Sequence, residues 1–191
     1  GINGIPWDAV ELASQCLENW AYEKESLQMF ARHYVTGEII PDHLFEKMQR
    51  ARHFQSALQI VRQLEFALFD FHLHKNYKPN QPGLVQAQLD HVRSKTAVIP
   101  VPCYNRFQNG FSHIFAGGYA AGYYSYLWAE VMASDAFSLF KENGVFNKET
   151  AQAYLACILE PGGSETPAVL FERFRGRAPS TEALLKQVGI V

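Results

Sequence analysis

The chain has 191 residues, 48% of them hydrophobic and 19% charged, with a net charge of −2 and a pI near 6.4. That length supports one substantial core, and the balance excludes a disordered or highly charged chain. It also offers no basic surface for nucleic acid or an acidic lipid face. Cys16, Cys103 and Cys157 are odd in number and far apart, with no C-x-x-C pair, so no disulfide framework is expected and a reducing, cytoplasmic compartment is. No basic-plus-apolar leader is visible. The longest apolar stretch, Ile114 to Met132, is interrupted by Ser125 and Glu130 and does not read as a membrane span.

The opening Gly1-Ile2-Asn3-Gly4-Ile5-Pro6 has no initiating Met and reads as the middle of a loop. Asp8 then predicts a cap for a helix from Ala9 into Trp20, with Val10, Leu12, Ala13, Cys16 and Leu17 inward. A second helix is expected over Glu23 to Tyr34 and is broken by Gly37. A third, from His43 to about Arg52, follows Pro41 and Asp42. From Phe54 to His74 the residues Leu58, Val61, Leu64, Ala67, Leu68 and Phe71 recur every three or four positions and predict a long helix. After the turn-rich Asn76 to Gly83, another helix runs from Leu84 to Lys95. Val98 to Pro102 is the only strand-like piece.

Phe111 to Asn143 reads as a long apolar-aromatic helix entered through Gly117-Gly118. Further helices are predicted from Asn147 to Leu159, from Thr166 to Arg173, and from Pro179-Ser180 to just before Gly189. With no repeat, low-complexity segment or linker, residues 1–191 are expected to form a single all-α unit, or part of one.

Two places could carry chemistry. In the segment from His113 to Trp128, a helix beyond the glycines would put Tyr119, Tyr123 and Tyr126 at i, i+4 and i+7, with three phenols on one face. Such phenols are neutral hydrogen-bond donors, and the Gly117-Gly118 pair lets another backbone approach closely. A buried aromatic stripe with satisfied hydroxyls is the other reading of the same pattern. The second place is Trp7 to Gln15. Asp8 and Glu11 form a capping-box-like pair, but a carboxylate near a helix start can also serve as a single metal ligand. His72 and His74 lie two residues apart on a helical pattern, so they point apart and would not chelate one ion. No H-E-x-x-H occurs in the chain.

Val10-Glu11-Leu12-Ala13-Ser14-Gln15 with Leu17-Glu18-Asn19-Trp20, the run from His113 to Trp128, and the tail segments Ile158 to Glu165 and Arg173 to Pro179 resemble the thimet oligopeptidase family of zinc metallopeptidases, and most resemble its bacterial oligopeptidase A group. The resemblance runs nearly end to end. It implies an almost wholly helical fold, of which this chain would be the C-terminal part of the catalytic domain, with little or no sheet. It also implies that the full-length protein hydrolyses short peptides with zinc. By resemblance Glu11 would be the third zinc ligand. His113, Tyr119 and Tyr126 would face the scissile peptide, and Tyr123, Gly117 and Gly118 would bind substrate beside them.

The family's H-E-x-x-H, which supplies two ligands and the general base, would lie upstream, in the missing N-terminal part of the same chain. A catalytic zinc needs about three protein ligands plus water. The 191-residue chain alone is therefore expected neither to hold zinc stoichiometrically nor to cleave peptides. A non-catalytic peptide-binding module is the rival reading, because the same tyrosines would serve it.

Overall fold

A computed structural model describes residues 4–191; Gly1, Ile2 and Asn3, read above as part of a loop, lie outside the described residues. Among the described residues there are nine α-helices and no strand. The helices are α1 (Leu12–Glu18), α2 (Lys24–Phe30), α3 (Asp42–His53), α4 (Ser56–Asn76), α5 (Leu84–Thr96), α6 (Ser125–Asn143), α7 (Lys148–Tyr154), α8 (Pro167–Arg175) and α9 (Glu182–Gln187). The all-α expectation holds. The strand-like Val98 to Pro102 is irregular chain, and an isolated bridge pairs Arg32 with Ile39. Among the described residues no helix is long and apolar enough to cross a membrane.

The helix boundaries follow local chemistry. At α7 the Asn147 side chain accepts the Thr150 N–H at 2.8 Å, and this cap fixes the start of the helix. The next five residues, Leu155–Leu159, widen into a π-helical turn that precedes Pro161-Gly162-Gly163. Pro167 occupies the first turn of α8, where its missing N–H costs nothing, and left-handed Gly176 ends the helix.

The chain clusters into two compact units. One runs up to Ser56 and resumes at Ala129; the other is Ala57–Trp128. The first has a core built from Ala9, Leu12 and Cys16, from Met132, Ala136, Phe137 and Phe140 of α6, and from Tyr154, Ile158, Leu170, Phe171 and Phe174. Trp20 sets its edge against Phe137 and Phe140, with centroids 4.6 and 4.8 Å away, and its indole N–H donates to the Val145 carbonyl at 3.0 Å. Each such aromatic pair adds roughly 0.5–1.5 kcal/mol beyond the area it buries. Asp135 is fully buried in this unit. Its carboxylate accepts from Arg177 at 2.6 Å through each oxygen, from Arg175 at 3.2 Å and from the Ser180 N–H at 2.7 Å. Burial by itself would raise its pKa, but these donors outweigh it and hold the carboxyl below its ordinary range.

The second unit packs Phe66, Phe69 and Leu73 of α4 against Leu89 and Val92 of α5 and against Phe111 and Ile114 of the following loop. Phe66 stacks on Phe107 at 4.4 Å, and Glu65 pairs with Arg93 at 3.0 Å. Of the recurring residues Ala67 is buried and Leu58 and Val61 are half-buried, but Leu64, Leu68 and Phe71 are 39%, 38% and 49% exposed, whereas Glu65, Phe66, Phe69 and Asp70 are buried. Apolar residues surround this helix, so periodicity could find the helix but not which side faces inward.

Candidate functional site

The tyrosine segment belongs wholly to the second unit, and it is not one helix. A 3-10 turn, Ser112–Ile114, leads into irregular chain, and α6 begins only at Ser125. Tyr119 and Tyr123 therefore sit in a loop, and only Tyr126 is helical. The helical register expected for the three is absent, yet their rings still converge. Tyr119 stacks on Tyr126 with centroids 4.7 Å apart, and Tyr123 lies 5.2 Å from Tyr126. His113 completes the group, 5.8 Å from Tyr123, 6.4 Å from Tyr119 and 6.5 Å from Tyr126. Tyr126 is the common neighbour of the other three. All three tyrosines are half-buried and His113 is exposed, so this is not a sealed core stripe.

The loop's shape comes from specific backbone bonds. The Ser112 carbonyl accepts N–H groups from Phe115 (3.1 Å), Ala116 (2.8 Å) and Gly117 (3.0 Å), and the His113 carbonyl accepts from Tyr119 at 3.0 Å. This curl brings Gly117 against His113. A Cβ at Gly117 would stand 2.8 Å from the His113 Cα and 2.9 Å from its carbonyl oxygen, so only glycine fits without a shift. Gly118 adopts φ +81° and Ala121 φ +54°. The latter is a left-handed conformation that costs a residue bearing a Cβ roughly 1–2 kcal/mol. Phe111 and Ile114 root the loop in the core.

Asp70, fully buried on α4, holds the loop's far end: one carboxylate oxygen accepts the Ala121 N–H and the other the Tyr123 N–H, each at 2.9 Å. The sequence signal for it was a carboxylate flanked by Phe69 and Phe71 in a largely apolar stretch of the helix. His74, one turn on, approaches the same carboxylate at 2.9 Å through Nδ1.

Individual side chains differ in their engagement. The Tyr123 hydroxyl donates to the Gln63 side-chain oxygen at 3.2 Å. Burial, then the neighbouring Tyr126, pushes the Tyr123 phenol pKa upward, with Arg62 opposing, so it stays protonated at neutral pH. Tyr124 is 43% exposed.

Glu11 lies in the other unit. The pairing of Asp8 as cap with Glu11 inside the helix does not form. Residues Trp7–Ala9 make a 3-10 turn, α1 starts at Leu12, and Glu11 sits at its N-cap with no side-chain cap bond. The half-buried Glu11 carboxylate instead accepts the Ser14 hydroxyl at 2.9 Å. Among the described residues no group of three His, Cys, Asp or Glu side chains could hold a metal. A catalytic zinc centre needs about three protein donors, more than these described residues bring together at Glu11. His72 and His91 approach each other, with ring centroids 6.3 Å apart, but no third donor joins them among the described residues.

Comparison with known proteins places the chain in a family. Residues 1–190 match the family described as Peptidase family M3. The chain is 55% identical over 190 residues to oligopeptidase A of Escherichia coli strain K12, covering 100% of this chain and 28% of that protein. It is 47% identical over 195 residues to the probable cytosolic oligopeptidase A of Arabidopsis thaliana, again 100% of this chain and 28% of the relative. Against saccharolysin of Saccharomyces cerevisiae it is 35% identical over 191 residues, covering 100% of this chain and 27% of the relative. The chain thus spans little more than a quarter of the length of these relatives. By the match over nearly its whole length, it belongs to peptidase family M3.

Proposed function

We propose that this chain is the C-terminal part of a metallopeptidase that hydrolyses short peptides, and that it forms one substrate-facing wall of the catalytic domain. The observation that carries this reading is the convergence of His113, Tyr119 and Tyr123 on Tyr126, within 6.5 Å, in a member of a peptidase family. A purely structural aromatic core would bury these rings, and here they are half-buried beside an exposed histidine.

The chemistry follows from what the side chains can offer. When a peptide bond is attacked, the carbonyl oxygen gains negative charge, and a neutral donor fixed in advance stabilises that charge without reorganising. A phenol suits this task because it is protonated at pH 7 and donates one hydrogen bond. Tyr126, central in the cluster, is assigned as the principal donor to this oxygen. Tyr119 and His113 assist it or bind neighbouring substrate carbonyls. Tyr123, whose hydroxyl is directed to Gln63, lines the wall. Gly117 and Gly118 let the loop come close to a bound peptide backbone.

Glu11 is assigned as one ligand of a zinc centre whose other ligands lie outside these 191 residues. The likeness of the surrounding segment, Val10 to Gln15, to the family's supports that assignment. Zinc would then be a property of the full-length protein, and the 191-residue chain alone would neither hold it stoichiometrically nor hydrolyse peptides. Short peptides and the remainder of its own chain are its expected partners, in the cytoplasm.

The test is metal content. In the full-length protein, Glu11→Gln should lower bound zinc, measured by elemental analysis after dialysis, and peptide hydrolysis should fall with it. Full zinc occupancy with full activity in that variant would remove Glu11 from the ligand set.

A further inference from the structure

We propose that Asp70 is a positioning residue that clamps the tyrosine loop and so sets where the Tyr119 and Tyr126 phenols stand. The proposal rests on the reading that these phenols face the peptide. A carboxylate that is 0% exposed between buried Phe69 and Leu73 survives in a core only when donors surround it. Asp70 has three at 2.9 Å: the Ala121 N–H, the Tyr123 N–H and His74 Nδ1. Two of the three come from one short stretch of the loop, spaced two residues apart, one to each oxygen. That bidentate grip fixes the curvature of residues 121–123.

What the grip holds is not a relaxed turn. Ala121 carries a Cβ in the left-handed region, a conformation that persists where its surroundings over-determine it. The Ala121 N–H is one of the two that Asp70 receives. From the clamped stretch the constraint passes both ways. The Gly122 N–H donates to the Tyr119 carbonyl at 2.9 Å, and the Tyr126 N–H donates to the Tyr123 carbonyl at 3.3 Å. Tyr119 and Tyr126, the two stacked rings, are thus each one hydrogen bond from the clamped stretch. His74 orients the carboxylate from the opposite side. Its Nδ1 also meets the Asp70 backbone carbonyl at 2.9 Å, and its ring lies 6.4 Å from Phe115 of the same loop.

If Asp70 acts through the loop, its removal costs little once the phenol it positions is gone. The experiment is a double-mutant cycle in the full-length protein. Asp70→Asn and Tyr126→Phe are made singly and together, with kcat and KM measured on a quenched fluorescent peptide and amide hydrogen exchange followed over residues 119–124. Asp70→Asn should lower kcat about tenfold or more with KM changed less than about threefold, and should add less than about threefold to Tyr126→Phe. Exchange should quicken in the loop and not in α4 or α5.

An Asp70→Asn effect that multiplies in full with Tyr126→Phe, or exchange that quickens throughout Ala57–Trp128, would mean a general stabilising role and overturn the clamp. Should Asp70→Asn fail to fold, His74→Gln reads the same coupling. Loop-confined exchange with lowered kcat sustains the proposal, and no change in either overturns it. If Tyr126→Phe alone keeps full kcat, the reading of Tyr126 as the donor to the developing oxyanion fails. The clamp is then judged on loop exchange alone: quickened exchange in Asp70→Asn sustains it and unchanged exchange overturns it.

Discussion

Removing the Asp135 carboxylate should destabilise the chain more than removing any exposed charge. Asp135 is 0% exposed and joins α6 to the end of the chain through Arg175, Arg177 and the Ser180 N–H. In Asp135→Ala the Ser180 N–H loses its acceptor, at a cost of about 1–3 kcal/mol if it stays buried. Arg175 keeps Glu142 at 2.6 Å and Ser138 at 2.9 Å, which limits its loss. Arg177 is 46% exposed on its side chain, so water screens and replaces much of its pairing. Breaking a fully buried pair costs about 3–5 kcal/mol, and these two escapes put Asp135→Ala near the lower end, about 3 kcal/mol. With a urea slope of about 2 kcal/mol per molar, the unfolding midpoint should drop by about 1.5 M.

The pH dependence has a definite sign. The folded pKa of Asp135 is depressed, so its contribution is fully present above the unfolded carboxylate pKa and is lost as pH falls through the lower folded value. The wild-type advantage over Asp135→Asn should therefore shrink in acid. A midpoint shift under about 0.3 M, or an advantage unchanged down to acid pH, would refute the account of Asp135 as a paired, buried anchor.

Other outcomes follow from single contacts. Asn147→Ala removes the cap on Thr150 and should cost about 1 kcal/mol in urea unfolding, with Asn147→Asp recovering most of it. Gly117→Ala places a Cβ 2.8 Å from the His113 Cα, and Gly118→Ala forces a side chain into φ +81°; both should slow peptide hydrolysis by the full-length protein while circular dichroism stays native. Loss of helicity in either would make the pair structural. Cys16 is buried, which pushes its thiol up to about 11 against a smaller opposing effect of Tyr154, while Cys103 is exposed. A thiol reagent applied to the native protein should modify Cys103 quickly and Cys16 only on unfolding, and equal rates would contradict this packing.

Much of the fold was legible because its signals are local. Pro41, Asn147 and Pro167 open helices, and Gly176 takes the left-handed turn that closes α8, whereas α2 already ends at Phe30, well before Gly37. The core face of α4 was not legible, because apolar residues line that helix on every side and only the tertiary partners choose among them. The site shows both outcomes in one segment. His113, Tyr119, Tyr123 and Tyr126 do come together, but not through the helical spacing that first suggested it. The chain stays irregular up to Tyr124 with Ala121 left-handed, and Asp70, about fifty residues earlier, accepts the Ala121 and Tyr123 N–H groups. A hydrogen bond across that separation leaves no periodic trace. The same holds for Asp135, whose partners Arg175, Arg177 and Ser180 lie some forty residues on.

The most direct test of the central claim is steady-state kinetics of Tyr126→Phe in the full-length protein against a short peptide. A phenol acting mainly on the developing oxyanion predicts kcat lower by about 10²–10³ with KM little changed. A normal kcat with raised KM, or no change in either, would contradict it.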